Sequence, residues 1–351
     1  MQRQINGQTD QITYWEIGGT APVGLPRSRK KTELKAWHVF LFFIVDMVIF
    51  LFAGSLVQYY LGMAGIAITE VYLLATSVLF VWMMGADFRT VFPLKKIRPL
   101  ALAGTLVIWI GGFLAVIISN LILLYLFPES FMGNSEAFTV VVEAVPWGIA
   151  FLIIAVLPAI CEEAMHRGVI QRGIQNSVKG KWQIVLIMGL FFGAFHMSPI
   201  KFLGTGILGA VMSYLLLVTD NMAYSSFLHF FHNALQVLLM MALPALAKAP
   251  LLNAAPELSI MDITPGMTLF AIGIYIMLFG TGIPVLLYTG AWMVKRATAP
   301  IRPAFLPKGR EKASLCTILI PTFAILLTGV FLWLSGLSQI MSEVAAGSAI
   351  W

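Results

Sequence analysis

The chain has 351 residues, of which 59% are hydrophobic and only 11% charged, and its mean hydropathy is +0.89. Soluble domains carry about 25% charged residues, so this composition excludes an ordinary soluble enzyme or binding domain. It predicts an all-α fold, a polytopic transmembrane helical bundle. The two cysteines, Cys161 and Cys316, lie in or beside apolar runs and indicate neither a disulfide framework nor a zinc ribbon.

Nine apolar segments are long enough to cross the hydrocarbon core of a bilayer, about 30 Å, as helices. We predict spans at residues 37–61, 64–85, 100–127, 139–163, 182–198, 202–219, 222–243, 267–293 and 314–341. The fourth should continue as helix to about 177. The proline-broken segment 244–266 leaves an alternative open, in which eight spans are joined by a re-entrant segment.

The basic residues predict the orientation. If the N-terminus is cytoplasmic, 20 of the 22 Lys and Arg residues fall on the cytoplasmic side, and only Lys201 and Lys248 do not. The positive-inside rule therefore predicts a multi-pass protein of the cell membrane with a cytoplasmic N-terminus and an extracytoplasmic C-terminus. The sequence pI of 9.3 then reflects topology and contact with the lipid bilayer rather than a nucleic-acid surface.

A polar stretch beginning at Pro158 interrupts the fourth span. Ionisable groups at membrane depth are costly and are kept mainly for function. Glu163 and Arg167, four residues apart, share a helix face and should pair. Glu162 lies one turn after Pro158, whose missing N–H frees the carbonyl of Ile154 and can bend the helix.

Two further polar patterns follow, Phe192-x-x-x-His196 and His229-x-x-x-Asn233. Glu162 and His196 lie equally far, 17 residues, from Lys179 in the polar turn that joins the fourth and fifth helices. An antiparallel hairpin would place both at one level, about 25 Å from that turn. His229 and Asn233 share a helix face and can reach that level if about half of the hairpin arm protrudes into the cytoplasm.

The order EExxxR, FxxxH and HxxxN on successive membrane helices resembles the CAAX protease and bacteriocin-processing family, also called CPBP or Abi. That family includes the type II CAAX prenyl endopeptidases. The resemblance covers roughly residues 140–243 and implies an intramembrane endopeptidase. Its substrate would be a membrane-embedded or lipidated protein or peptide. We divide the chain into four parts. Residues 1–35 form a flexible basic cytoplasmic tail, and residues 36–138 the N-terminal transmembrane helices. Residues 139–243 form the CPBP-like catalytic core helices, and residues 244–351 an extracytoplasmic loop with C-terminal scaffold helices.

The resemblance also implies roles for single residues. Glu162 would act as the base that activates water, with His196 orienting the water or sharing its proton. His229 and Asn233 would donate hydrogen bonds to the oxyanion. The pair formed by Glu163 and Arg167 would brace the site.

A zinc-dependent version of the protease would use some of the same residues. The acceptable zinc ligands are Glu162, Glu163, His196 and His229. The sequence contains no HExxH motif, and Asn233 is a poor zinc ligand and a good oxyanion donor. We therefore predict a glutamate protease without a cofactor, with zinc as the alternative.

Other polar residues are expected to be structural. His166 and His232 match no catalytic position and are predicted either to pack in the bundle or to support the catalytic residues from behind. Asp46 should form a structural hydrogen bond inside the bundle, and Glu70 should lie at the membrane interface.

Two other functions compete with the protease. One is a non-catalytic immunity or regulatory protein on the same fold, which would bind a peptide or a membrane partner. The other is a secondary transporter with proton-coupled carboxylates. Transporters often carry inverted repeats and interrupted helices in both halves, and the sequence contains neither.

Overall fold

The computed structural model describes residues 31–247 and 264–346. Most of the predicted tail, residues 1–30, and most of the predicted re-entrant segment lie outside them. The first six helices are α1 Ala36–Leu61, α2 Met63–Met83, α3 Phe88–Val91, α4 Pro99–Leu126, α5 Pro128–Glu143 and α6 Trp147–Gln175. The next six are α7 Lys181–Phe195, α8 Pro199–Thr219, α9 Met222–Ala247, α10 Pro265–Leu278, α11 Ile283–Thr298 and α12 Glu311–Ala345. The described residues contain no strand, which confirms the all-α prediction.

Every predicted span overlaps a helix, but within residues 31–247 and 264–346 only seven helical segments are long and apolar enough to cross a membrane. These are α1, α2, α4, α6, α8, α12, and α10 with α11 counted as one segment. The chain is thus a multi-pass membrane protein. Of the two remaining predicted spans, α7 has only 15 residues. Helix α9 is continuous, but polar residues lower its hydropathy, namely His229, His232, Asn233 and Gln236.

The predicted start of the fourth span, at residue 139, is wrong. Residues up to Glu143 belong to the separate helix α5, and α6 begins at Trp147. Pro146 takes an extended conformation at the junction, with ψ of 138°. Proline also disfavours the helical conformation of the residue before it, so the chain breaks here.

Helix α6 lies at the centre of the bundle. In its most apolar window 61% of the residues are buried, compared with 11% in α12. Two π-helical segments, Leu152–Val156 and Ala164–Ile170, flank the α-helical turns Leu157–Glu163 that carry the glutamates. Such insertions often occur at functional sites, and here they turn successive faces of one helix toward different neighbours.

The helices pack as pairs: α7 lies along α8, α10 along α12, and α11 along α4. A side chain at Gly189 of α7 would place its Cβ 2.8 Å from the carbonyl oxygen of Gly206 of α8. Only glycine permits this close approach. It joins α7 and α8 into a tight hairpin beside α6.

Residues immediately before α1 are packed against the end of α6. Leu34 is buried, and its carbonyl accepts a hydrogen bond from the Asn176 side chain at 2.9 Å. The N–H of Ala36 donates to the hydroxyl of Ser177 at 2.8 Å. The last residues of the predicted tail are therefore part of the folded bundle.

Candidate active site

The predicted pair between Glu163 and Arg167 is present and fully buried. Glu163 Oε1 lies 3.0 Å from an Arg167 guanidinium nitrogen, and neither side chain is exposed. The guanidinium also donates to the carbonyl of Gly209 at 3.3 Å and lies over the ring of Phe192, 4.5 Å from its centroid. The pair thus connects α6 to both helices of the α7–α8 hairpin.

His229 of α9 lies between the two glutamates. Its Nδ1–H donates to Glu163 Oε1 at 3.1 Å, and its Nε2 is 3.9 Å from Glu162 Oε2. The carboxylate of Glu163 therefore fixes the imidazole ring and turns Nε2 toward Glu162. When the ring is neutral, that Nε2 carries a lone pair, and it becomes a donor only when the ring is protonated.

His196 lies at the end of α7. Its Nδ1–H donates to the carbonyl of Phe192 at 2.9 Å, which leaves Nε2 as a hydrogen-bond acceptor. The next residue, Met197, adopts the left-handed region with φ of 47° and ends the helix. Positive φ is uncommon outside glycine, and such strained residues cluster at functional sites.

Asn233 makes a contact that follows from the proline in α6. Its amide nitrogen donates to the carbonyl of Ile154 at 2.9 Å. Ile154 is four residues before Pro158, so this is the carbonyl that the proline leaves without its helical partner. One hydrogen of the Asn233 amide is used in this bond, and the other remains for a ligand.

These residues line one cavity of about 540 Å³. Its lining includes all four predicted catalytic residues, Glu162, His196, His229 and Asn233. His232, predicted as a packing or supporting residue, also lines the cavity, while its Nδ1 accepts a hydrogen bond from the indole N–H of Trp109 at 3.4 Å. Most of the remaining wall is apolar. His166 is fully buried between Phe192 and Phe195, as expected of a packing residue.

A catalytic zinc site needs at least three side-chain ligands around one point, with water in the fourth position. Glu163 instead binds Arg167 and His229 and does not line the cavity. In the described part of the chain, no group of three or more His, Cys, Asp or Glu side chains is arranged to hold a metal ion. The predicted ligand set therefore does not fit a zinc site.

Glu70, predicted to lie at the membrane interface, is buried inside the bundle beside the site. It is 7% exposed, lies within α2, and its carboxyl is in hydrogen-bond contact with the carboxyl of Glu162. The sequence does hold a signal for it, since Glu70 is the single charged residue of an apolar 21-residue helix. What the sequence could not supply was the partner, which lies 92 residues further along the chain.

One comparison with known proteins found a match within the core of the chain. Residues 144–235 match the model of a family described as "Type II CAAX prenyl endopeptidase Rce1-like". The core of this chain, residues 144–235, is thus similar to that family. The family predicted from the three motifs is thereby confirmed, at the level of a CAAX-type intramembrane protease. No curated protein and no solved structure matches the chain.

The Rce1-like match covers about a quarter of the chain, from just before α6 into α9. All six residues assigned from the motifs lie inside it. Glu70 lies outside it, as do several residues that line the cavity, among them Ile66 of α2 and Asn120 of α4. The N-terminal helices of this chain thus complete a cavity whose polar residues come mainly from the Rce1-like core.

Proposed function

We propose that this protein is a glutamate-type intramembrane endopeptidase, which hydrolyses a peptide bond in a membrane-anchored substrate without a metal. The observation that carries the proposal is the convergence of Glu162, His196, His229 and Asn233, from three helices, on one cavity. The Rce1-like match supports the same class of reaction.

Water activation falls to Glu162 and His196. The Glu162 carboxylate takes a proton from a water molecule in the cavity, and the resulting hydroxide attacks the scissile carbonyl. His196 Nε2 is free to accept the second hydrogen of that water, because Nδ1–H is held by Phe192. The proton on Glu162 then passes to the leaving amine.

The oxyanion is stabilised by donors on α9. Asn233 keeps one amide hydrogen after bonding Ile154. His229 supplies Nε2–H when its ring is protonated, and the bond from Nδ1 to the Glu163 carboxylate holds that ring in place. Preorganised donors in a dry site contribute strongly to acyl-transfer catalysis because they need no reorganisation as charge develops.

The substrate class follows from the cavity and the family. A mostly apolar cavity inside a multi-pass protein suits a lipidated terminus or a transmembrane segment. The Rce1-like description names prenyl endopeptidases, so a prenylated peptide is the first substrate to test.

The test is cleavage of labelled membrane-anchored peptides, prenylated and unprenylated, by the protein in detergent. We expect Glu162→Gln and His196→Ala to lower the rate by at least about 100-fold, the usual contribution of a general base. The exposed Glu143→Gln and the N-terminal His38→Ala are matched controls that should keep full activity. Cleavage that survives both active-site substitutions would refute the proposal.

Metal dependence is tested in the same assay. A glutamate mechanism predicts that the rate is unchanged by prolonged treatment with a strong zinc chelator. If the chelator abolishes activity and added zinc restores it, the glutamate mechanism is refuted and the zinc-dependent mechanism is supported.

A further inference from the structure

The active-site glutamate has a carboxyl partner from another helix. Glu70 of α2 and Glu162 of α6 are in hydrogen-bond contact, and each residue is 7% exposed. Helix α2 packs directly on the turns of α6 that carry the glutamates. Ile66, one helical turn before Glu70, reaches the cavity itself.

Two carboxyls in contact inside a membrane protein cannot both be ionised, because like charges repel strongly in a medium of low dielectric constant. Glu70 Oε2 and Glu162 Oε2 are both buried, and no N–H or O–H group among the described residues donates to either oxygen. A proton on one carboxyl supplies the missing donor, so that the other carboxyl can accept a hydrogen bond from it. The pair therefore carries one proton and one negative charge.

The two members of the pair face different surroundings. Glu162 lines the cavity, whereas Glu70 does not. The ionisable groups around the pair are Cys161, Glu163, Arg167 and His229. Arg167, the one cation among them that is always charged, is paired with the Glu163 carboxylate, so these two charges largely cancel at Glu162. Because only Glu162 reaches the cavity, where water can solvate a charge, negative charge is favoured on Glu162 and the proton on Glu70.

We propose that Glu70 is a positioning residue of the peptidase, which holds the proton of the Glu70–Glu162 pair and donates a hydrogen bond to the Glu162 carboxylate. This inference rests on the proposed function. Glu70 keeps its proton throughout the reaction. Glu162 takes its proton from water as the O–C bond forms and returns it to the amine as the C–N bond breaks, so the pair ends as it began.

Two substitutions separate this role from simple packing. Glu70→Gln keeps a donor to Glu162, so kcat should stay within about threefold of wild type. An amide stabilises the carboxylate less than a carboxylic acid does, so the acid limb of its pH–rate profile should move about one pH unit upward. Glu70→Leu removes the donor and should lower kcat at least about tenfold with little change in KM.

The matched control is Asp46→Asn. Asp46 is another buried acid of the N-terminal helices, 2% exposed, and the groups that contact it are Tyr72 and Thr76 rather than Glu162. Its pH–rate profile should match wild type. A Glu70→Leu protein with wild-type kcat and an unmoved acid limb would overturn the proposal.

Infrared difference spectroscopy tests the pair without any substrate, so its result does not depend on whether the protein is a peptidase. At neutral pH the carboxylic-acid C=O band of the pair should disappear in Glu70→Gln and persist in Glu162→Gln. A band that persists in Glu70→Gln and disappears in Glu162→Gln would assign the proton to Glu162 and refute the proposal. Full peptidase activity in Glu162→Gln would instead refute the proposed function and leave the infrared result standing.

Discussion

Two adjacent glutamates have different surroundings because successive helical side chains point about 100° apart. Glu163 is fully buried and binds Arg167 and His229, whereas Glu162 faces the cavity and Glu70. The pairing of Glu163 with Arg167 was predictable, because a spacing of four residues fixes a shared face. The contact between Glu70 and Glu162 was not predictable, since no local spacing relates two residues on different helices.

Removing the buried guanidinium of Arg167 should destabilise the fold more than removing an exposed one. Arg167→Leu leaves the Glu163 carboxylate buried and unpaired, and we expect a loss of about 3–5 kcal/mol in unfolding free energy. Thermal and denaturant unfolding in detergent measure it. The exposed Arg89→Leu is the control and should change stability by less than about 0.5 kcal/mol. Equal stability of the two variants would mean that the buried pair does not hold α6 in place.

At the scale of elements, the site is built where helices depart from regularity. Helix α6 contains two π-helical segments and Pro158, α7 is short, and α9 carries two histidines, an asparagine and a glutamine within two turns. Apolar length predicted where helices lie, so all nine predicted spans overlap helices. It could not predict the break before Trp147, the π-helical segments or the bond from Asn233 to Ile154, which depend on contacts between helices.

Gly209 of α8 tests how closely the helices must pack around Phe192 of the FxxxH motif. A Cβ at Gly209 would lie 2.5 Å from the Cβ of Phe192, so Gly209→Ala forces the two helices apart. We expect a loss of about 1–3 kcal/mol in unfolding free energy, together with a lower peptidase rate as His196 moves. The control is Gly148→Ala on α6, where a new Cβ meets nothing within 4 Å. Gly209→Ala with wild-type stability and rate would contradict this packing argument.

The stability contributed by the turn between α8 and α9 should depend on pH through Asp220. Asp220 receives hydrogen bonds from Lys95 and Arg172. Partial burial raises the pKa of the Asp220 carboxyl, but these hydrogen bonds and the two positive charges outweigh it and hold the pKa below its usual range. The stabilisation is therefore complete above the ordinary carboxyl pKa and is lost as pH falls through the lowered one.

Asp220→Asn tests this tie, because asparagine tolerates the left-handed backbone, φ of 47°, found at this position. Since the carboxyl is half exposed, we expect a loss of only about 0.5–1 kcal/mol at pH 7. The difference from wild type should vanish in acid, as measured by unfolding across a pH series. A difference that stays constant with pH would mean that the charge on Asp220 contributes nothing.

At the scale of the whole molecule, contacts between distant segments place several of the turns between helices at the same end of the bundle. Lys31 pairs with Asp87, and Asn176 binds the carbonyl of Leu34. Asp220 pairs with both Lys95 and Arg172, so the turn after α8 lies beside the end of α6. The α7–α8 hairpin therefore leaves this side and returns to it, although α7 is too short to be recognised by length alone. The basic residues of the sequence mark the same set of turns, which is why charge predicted an orientation and helix length alone did not.

This arrangement predicts an orientation that single cysteines can test in a protein whose native cysteines are replaced by serine. Exposed Lys179, in the turn between α6 and α7, belongs to the basic side, and exposed Glu129, at the start of α5, belongs to the opposite side. If the basic side is cytoplasmic, a membrane-impermeant maleimide should label Glu129→Cys in intact cells. It should label Lys179→Cys only after the membrane is permeabilised. The reverse pattern would place the N-terminus outside, and labelling of both residues in intact cells would mean that α6 does not cross the membrane.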